Sequence, residues 1–199
     1  MIDRNLSLPH ELVCATDDAA GLDAGIRVAP LEKELIRYGN AFPKLAAFRP
    51  DAAELFGERL CVIDLDAVIC GSLDPLLDRY DDDFVVWEDV LARSKPDRFK
   101  YNTSMVLMNA GARAQVWETF DRKTSPMTVM REHRCGSDQA WVSRQLNGEK
   151  MWTREDGVLS YRFDVQDRAM PDNARIVFFH GKPKPWEIPA NSIVKQHWN

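Results

Sequence analysis

One stretch limits what this chain can fold into more than any other. Leu60-Cys-Val-Ile63 is an unbroken apolar run that stops abruptly at Asp64-Leu-Asp66. Such a run reads as a strand buried on both faces. Two carboxylates at the end of a buried strand are costly unless something compensates them. In extended chain, residues two apart point to the same side, roughly 6–7 Å apart at Cα. Asp64 and Asp66 are therefore candidates to bracket one hard cation, although a strand that simply ends in two solvated acids would look the same. Gly71-Ser72 then breaks the chain, and Asp74-Pro-Leu-Leu77 starts a helical segment. In open α/β sheets, ligands gather at the carboxyl ends of strands.

The chain of 199 residues is most economically one domain, long enough to bury a substantial core. Its formal charge of −5 argues against a large nucleic-acid footprint. No apolar run approaches membrane-spanning length, and Met1 to Asn5 lacks the apolar core of a signal peptide. Cys14, Cys61, Cys70 and Cys135 do not fall at metal-ligand spacing. Cys14 and Cys61 lie in apolar runs, so buried free thiols and a cytoplasmic location are expected.

Other elements follow from pattern. Strands are expected at Leu12 to Thr16, Ile26 to Pro30, Asp83 to Trp87 and Tyr101 to Asn109. Met151-Trp152, Leu159 to Phe163 and Ala174 to His180 add three more. Pro43 to Phe48, within Asn40 to Pro50, suits a short helix with proline in its first turn. Lys44 on that helix suits a surface position or a phosphate contact. Asp51 to Arg59 and Ala112 to Phe120 are helical in spacing. Gly136 to Leu146 reads as a helix capped by Ser137, with Asp138 and Gln139 in its first turn. Leu91 to Lys100, which carries Pro96, and the polar stretch Asp121 to Arg134 read as surface connections suited to partner specificity. Strands alternating with helices over this length give an α/β fold with a mostly parallel sheet flanked by helices.

Polar groups collect where elements begin or end: Asp64/Asp66, Asn102/Ser104, Asp138/Gln139 and His180/Lys182/Lys184. Two carboxylates and an imidazole form a mixed oxygen and nitrogen set compatible with manganese or magnesium. Two lysines interleaved with prolines make a stiffened cationic segment suited to anionic oxygens.

Ile63-Asp-Leu-Asp-Ala-Val-Ile69 resembles the D-x-D segment of the nucleotide-sugar-dependent glycosyltransferases of the GT-A fold. It is most similar to the glycogenin and lipopolysaccharide galactosyltransferase relatives of family eight. Tyr101-Asn-Thr-Ser-Met-Val-Leu-Met108 resembles their asparagine-containing strand, and Gly136-Ser-Asp-Gln139 their G-D-Q helix start. His180-Gly-Lys-Pro-Lys-Pro-Trp186 resembles their closing H-x-x-G-x-x-K-P-W. Four segments in the right order are far more specific than one. The resemblance implies a GT-A, Rossmann-like nucleotide-diphospho-sugar transferase fold and transfer of a sugar, with retention, from a donor such as a uridine-diphosphate sugar to a carbohydrate or glycoconjugate acceptor. By the same resemblance, Asp64, Asp66 and His180 would hold Mn²⁺ or Mg²⁺, and Asp64 would also touch the nucleotide. Lys184, helped by Lys182, would contact the departing phosphate. Asn102 and Ser104 would border the donor sugar, with Asp138 and Gln139 at the reacting face; Lys44 is kept as a further candidate contact to the donor.

The resemblance has two departures. In the family pattern the histidine stands three residues before the glycine, where this chain has Phe178, and His180 directly precedes Gly181. The family also starts with a strand and helix ahead of a segment like Leu12 to Thr16. Lacking that inner strand, the sheet would keep an open edge, with weak stability, self-association or weak nucleotide affinity expected. Two other readings use the same residues. One is a haloacid-dehalogenase-like phosphatase built on Asp64 and Asp66, and the other is a nucleotide-sugar-binding domain without turnover.

Overall fold

The computed structural model describes residues 1–31, 33–37, 41–95, 97–189, 192 and 194–198. Asn40 and Pro96, named above as the start of one segment and a feature of another, lie outside the described residues. Among the described residues nine strands occur in chain order: β1 (Val13–Thr16), β2 (Arg27–Pro30), β3 (Arg59–Ile63), β4 (Ala67–Ile69), β5 (Phe84–Glu88), β6 (Tyr101–Asn109), β7 (Lys150–Trp152), β8 (Val158–Ser160) and β9 (Ile176–Phe178).

The main sheet runs β3-β6-β5-β7, and a second runs β4-β9-β8. Pairing is mixed: β6 is antiparallel to both neighbours and β4 to β9, while β5/β7 and β8/β9 are parallel. β1 and β2 form a separate parallel ribbon. Among the described residues β3 is an edge strand.

β6 is the centre of the main sheet, and its sequence shows why. Every residue from Tyr101 to Met108 is buried, and its second half, Met105 to Met108, is apolar on both faces. Val106 and Met108 join Phe84 and Val86 of β5 on one face, against Trp141 and Val142 of the helix Asp138–Gln145. Met105 and Leu107 join Val85 and Trp87 on the other, against Trp152 and Phe178. The alternation is the period-two rule applied to the apolar run Met105 to Met108. A third cluster, including Val68, Leu159, Val177 and Phe179, closes the second sheet.

Several expectations are revised. The stretch Asp121 to Arg134 holds a helix, Ser125–His133, with Pro126 in its first turn, where proline starts a helix and does not break one. Leu159 to Phe163 is not one strand, since Tyr161–Val165 turns into a short helical segment after β8. β4 is unforeseen because three residues are too short to show a period. The Pro43 segment is a tight 3₁₀ helix, Phe42–Phe48.

Candidate functional site

Antiparallel register builds the site. The carboxyl end of β3 lies opposite the amino end of β6, with Ile63 beside Met105 and the Asp64 N–H donating to Ser104 O at 2.9 Å. The carboxyl end of β5 meets the same end of β6, with Glu88 beside Tyr101. Between Val86 and Trp87 the β5–β6 register shifts from Val106 to Asn102, so Thr103, Ser104 and Met105 have no partner on β5. Irregularities of this kind re-aim side chains next to active sites. They bring Asn102 and Ser104, both buried, to one cleft with Asp64, while buried Thr103 lies behind it.

That cleft, about 240 Å³, is lined by Lys44, Asp64, Asp89, Arg98, Asn102, Ser104, Ser137, Asp138, Gln139 and His180, with Ala41, Val90 and Leu91. The helix Asp138–Gln145 delivers Asp138 and Gln139, because Ser137 caps it by accepting the Ala140 N–H. Phe42, Leu45, Ala46, Ala47 and Phe48 of the 3₁₀ helix are buried, which anchors that helix beside the cleft. Lys44 Nζ donates to Asp64 Oδ1 at 2.8 Å and lies 3.3 Å from Asp138 Oδ2. Thr103 Oγ1 donates to Asp138 Oδ2 at 2.5 Å. Burial alone would lower the Lys44 pKa, but the charges of Asp138 and Asp64 outweigh it and hold the ammonium above its ordinary value. One ammonium thus orients two carboxylates from different elements.

Asp66 stands apart from this group. The chain bends at Leu65 and Asp66, leaving the Leu65 side chain 91% exposed, and Asp66 enters the second sheet, where its carbonyl accepts the Phe179 N–H. Lys184 Nζ donates to Asp66 Oδ2 and to Phe179 O. The two aspartates are therefore not successive same-side residues of one extended strand, as the sequence expectation had them.

His180 has one nitrogen engaged by Ser160. Its Nε2 is 2.6 Å from Ser160 Oγ, and its ring stacks on Phe163 at 5.7 Å. Burial pushes its pKa below the ordinary imidazole value, against the opposing charge of Asp89. Among the described residues, no group of three His, Cys, Asp or Glu side chains stands close enough to hold a metal ion. Asp64 and Asp66 each keep one carboxylate oxygen without a protein partner among the described residues. Two such oxygens fit a hard cation that takes its remaining oxygens from substrate phosphates and water. With Nε2 engaged at Ser160, the imidazole has only Nδ1 left to offer.

Lys182 is the other outlier, 86% exposed and 3.6 Å from Glu187, away from the cleft lining. Trp186 beyond it is also exposed. Sequence reasoning missed Arg98 and Asp89 as cleft residues, and Thr103 as the hydroxyl that holds Asp138. Arg98 lies over the Phe99 ring at 3.7 Å and reaches Asp89 at 3.4 Å. The acids at the end of β5 were a visible signal for Asp89; nothing local marks Thr103.

No sequence-family profile matches this chain, and no curated protein matches it in sequence. Its fold does have solved counterparts, and they define it as the GT-A glycosyltransferase fold. The galactosyltransferase LgtC, solved with donor and acceptor sugar analogues, superposes at a TM-score of 0.57 and 15% identity, over 90% of this chain and 77% of LgtC. The apo form of the glycosyltransferase GlyE from Streptococcus pneumoniae TIGR4 gives 0.53 at 14% identity, over 87% of this chain and 45% of GlyE. No helix among the described residues is long and apolar enough to cross a membrane.

Proposed function

We propose that the chain is a metal-dependent glycosyltransferase that moves a sugar from a nucleotide-diphosphate donor, with uridine as the base, to a carbohydrate or glycoconjugate acceptor, with retention at the anomeric carbon. One observation carries the reading: Asp64, Asn102, Ser104, Asp138 and Gln139 line a single cleft at the strand ends of a fold shared with a galactosyltransferase solved with sugar analogues.

Asp64 and Asp66 would each give one oxygen to Mn²⁺ or Mg²⁺, which supplies positive charge against the leaving phosphate when bound. Lys184 adds a fixed cation beside Asp66, with Lys182 on the outer flank, where phosphate charge must be stabilised as the bond to the sugar breaks. Asn102 and Ser104 border the donor sugar. Lys44 also borders it and, with Thr103, holds Asp138 at the reacting face. Gln139 offers an uncharged amide to sugar hydroxyls. The open edge of β3 supports self-association. Four free cysteines support a cytoplasmic setting.

Calorimetric titration with uridine diphosphate, with Mn²⁺ and then with chelator, tests the reading. Binding that needs Mn²⁺ and disappears in Asp64→Ala/Asp66→Ala is expected, followed by sugar release from a donor panel with acceptor. Binding without any sugar release would make this a non-catalytic domain. Phosphate release that depends on Asp64 as a phosphorylated nucleophile would make it a phosphatase.

A further inference from the structure

His180 lines the cleft, and the state of its ring is decided behind it, at Ser160. Ser160 ends β8 fully buried, and its Oγ already accepts the Phe163 N–H at 3.3 Å. Among the described residues, His180 Nε2, at 2.6 Å, is the one acceptor that the Ser160 hydroxyl reaches. A buried hydroxyl that fails to donate loses a hydrogen bond without compensation from water. Its proton is therefore directed at Nε2. A neutral imidazole carries one N–H, so an accepting Nε2 places that N–H on Nδ1.

The surroundings hold this arrangement in place. The Ser160 N–H donates to Asp164 Oδ2 at 2.9 Å, and Arg93 Nη1 donates to Asp164 Oδ1 at 2.8 Å. Arg93 also donates to Glu88 Oε1 through Nη2 and Nε, at 2.5 and 3.0 Å. The chain of contacts runs from the end of β5, through the loop over the cleft, to the serine behind the histidine. Phe163 and Trp87 pack against the imidazole, with ring centroids 5.7 and 6.2 Å away. Among the described residues Nδ1 has no hydrogen-bond partner. Phe178, which occupies the place the sequence pattern gives to a histidine, is packed in the core, stacked on Trp87 at 4.8 Å.

We propose that Ser160 holds His180 as its Nδ1–H tautomer, so that His180 gives the cleft a neutral hydrogen-bond donor for the diphosphate of the donor substrate and not a lone pair for the cation. The diphosphate part of this inference rests on the function proposed above. The division of labour is chemically economical: Asp64 and Asp66 supply oxygens to a hard cation, while an N–H meets phosphate oxygen directly. Ser160 is a positioning residue, acting through the ring and touching no substrate.

Two measurements on the full chain decide it. Long-range ¹H–¹⁵N spectra of histidine-labelled protein, with no ligand added, distinguish the two tautomers. His180 is expected as Nδ1–H in the native chain, and as a mixture or Nε2–H in Ser160→Ala. An Nε2–H form in the native chain overturns the proposal without needing any variant to fold. In the second, uridine diphosphate with Mn²⁺ is titrated into His180→Asn and His180→Ala, each checked by its melting curve. The asparagine amide carries an N–H near the place of Nδ1–H. It is expected to keep affinity within about threefold, whereas alanine loses about 10- to 100-fold. Mn²⁺ affinity without nucleotide, read by electron paramagnetic resonance, is expected to be the same in all three proteins. Loss of Mn²⁺ binding in both variants would make His180 a ligand and overturn the proposal. If the native chain binds no uridine diphosphate, the nucleotide-sugar reading fails and the diphosphate role falls with it. The spectra still decide the tautomer.

Discussion

The main sheet and the β1–β2 ribbon obey the same backbone rules and end up with different burial. β6 buries every residue from Tyr101 to Met108, with one apolar cluster on each side. In the ribbon, Ala29 is the one buried residue, and no ribbon residue joins any of the three apolar clusters. The ribbon is fully paired, since β1 and β2 match residue for residue from Val13/Arg27 to Thr16/Pro30. What differs is what lies above and below the strands. Hydrogen bonding defines a strand, but burial of its two faces decides how much of the fold depends on it.

The largest expected difference between the two regions is in amide exchange. Amides of β6 should exchange only through global unfolding, and those of β1 and β2 through local opening, a gap approaching the whole stability of ~5–15 kcal/mol. Equal protection in both regions would refute it. Side-chain truncation sharpens the same contrast. Trp87→Ala removes a fully buried indole from the second cluster and should cost about 3–5 kcal/mol in urea unfolding. Val28→Ala, on the exposed face of the ribbon, should stay within about 0.5 kcal/mol. The smallest effect belongs to His10, next to the ribbon. The Leu8 carbonyl and then Asp3 raise its pKa in the folded chain. A raised pKa means that the fold favours the protonated ring. The contribution is therefore complete below pH 6.5 and is lost as pH rises through the folded value. At this solvent-facing site it amounts to a few tenths of a kcal/mol. His10→Ala should flatten that limb of the stability–pH curve and leave the rest unchanged.

Much of the architecture was legible because single strands and caps carry their own signals. Tyr101 to Asn109 and the Ser137-capped helix stand where pattern placed them. The same logic explains what was hidden. Period two pairs Asn102 with Ser104 and assigns Thr103 to the opposite face, yet the register shift lets Thr103 reach Asp138. Lys44 looks like any helical lysine until Asp64 and Asp138 arrive from elements 20 and 94 positions away in sequence. The bracket expected of Asp64 and Asp66 assumed extended chain, and the bend at Leu65 hands them to different sheets. Contacts made by register, crossover and bend have no local signature.

The register shift also bears on how this chain tolerates change. Thr103, Ser104 and Met105 lie where β6 leaves its pairing with β5. A substitution there alters one contact. Deleting or inserting a single residue would reverse the facing of every residue on one side of the change and send Asn102 to the opposite surface of the sheet. Around this cleft, length is constrained more tightly than identity, so homologues should vary in letters here while keeping the same spacing between Asn102 and Asn109.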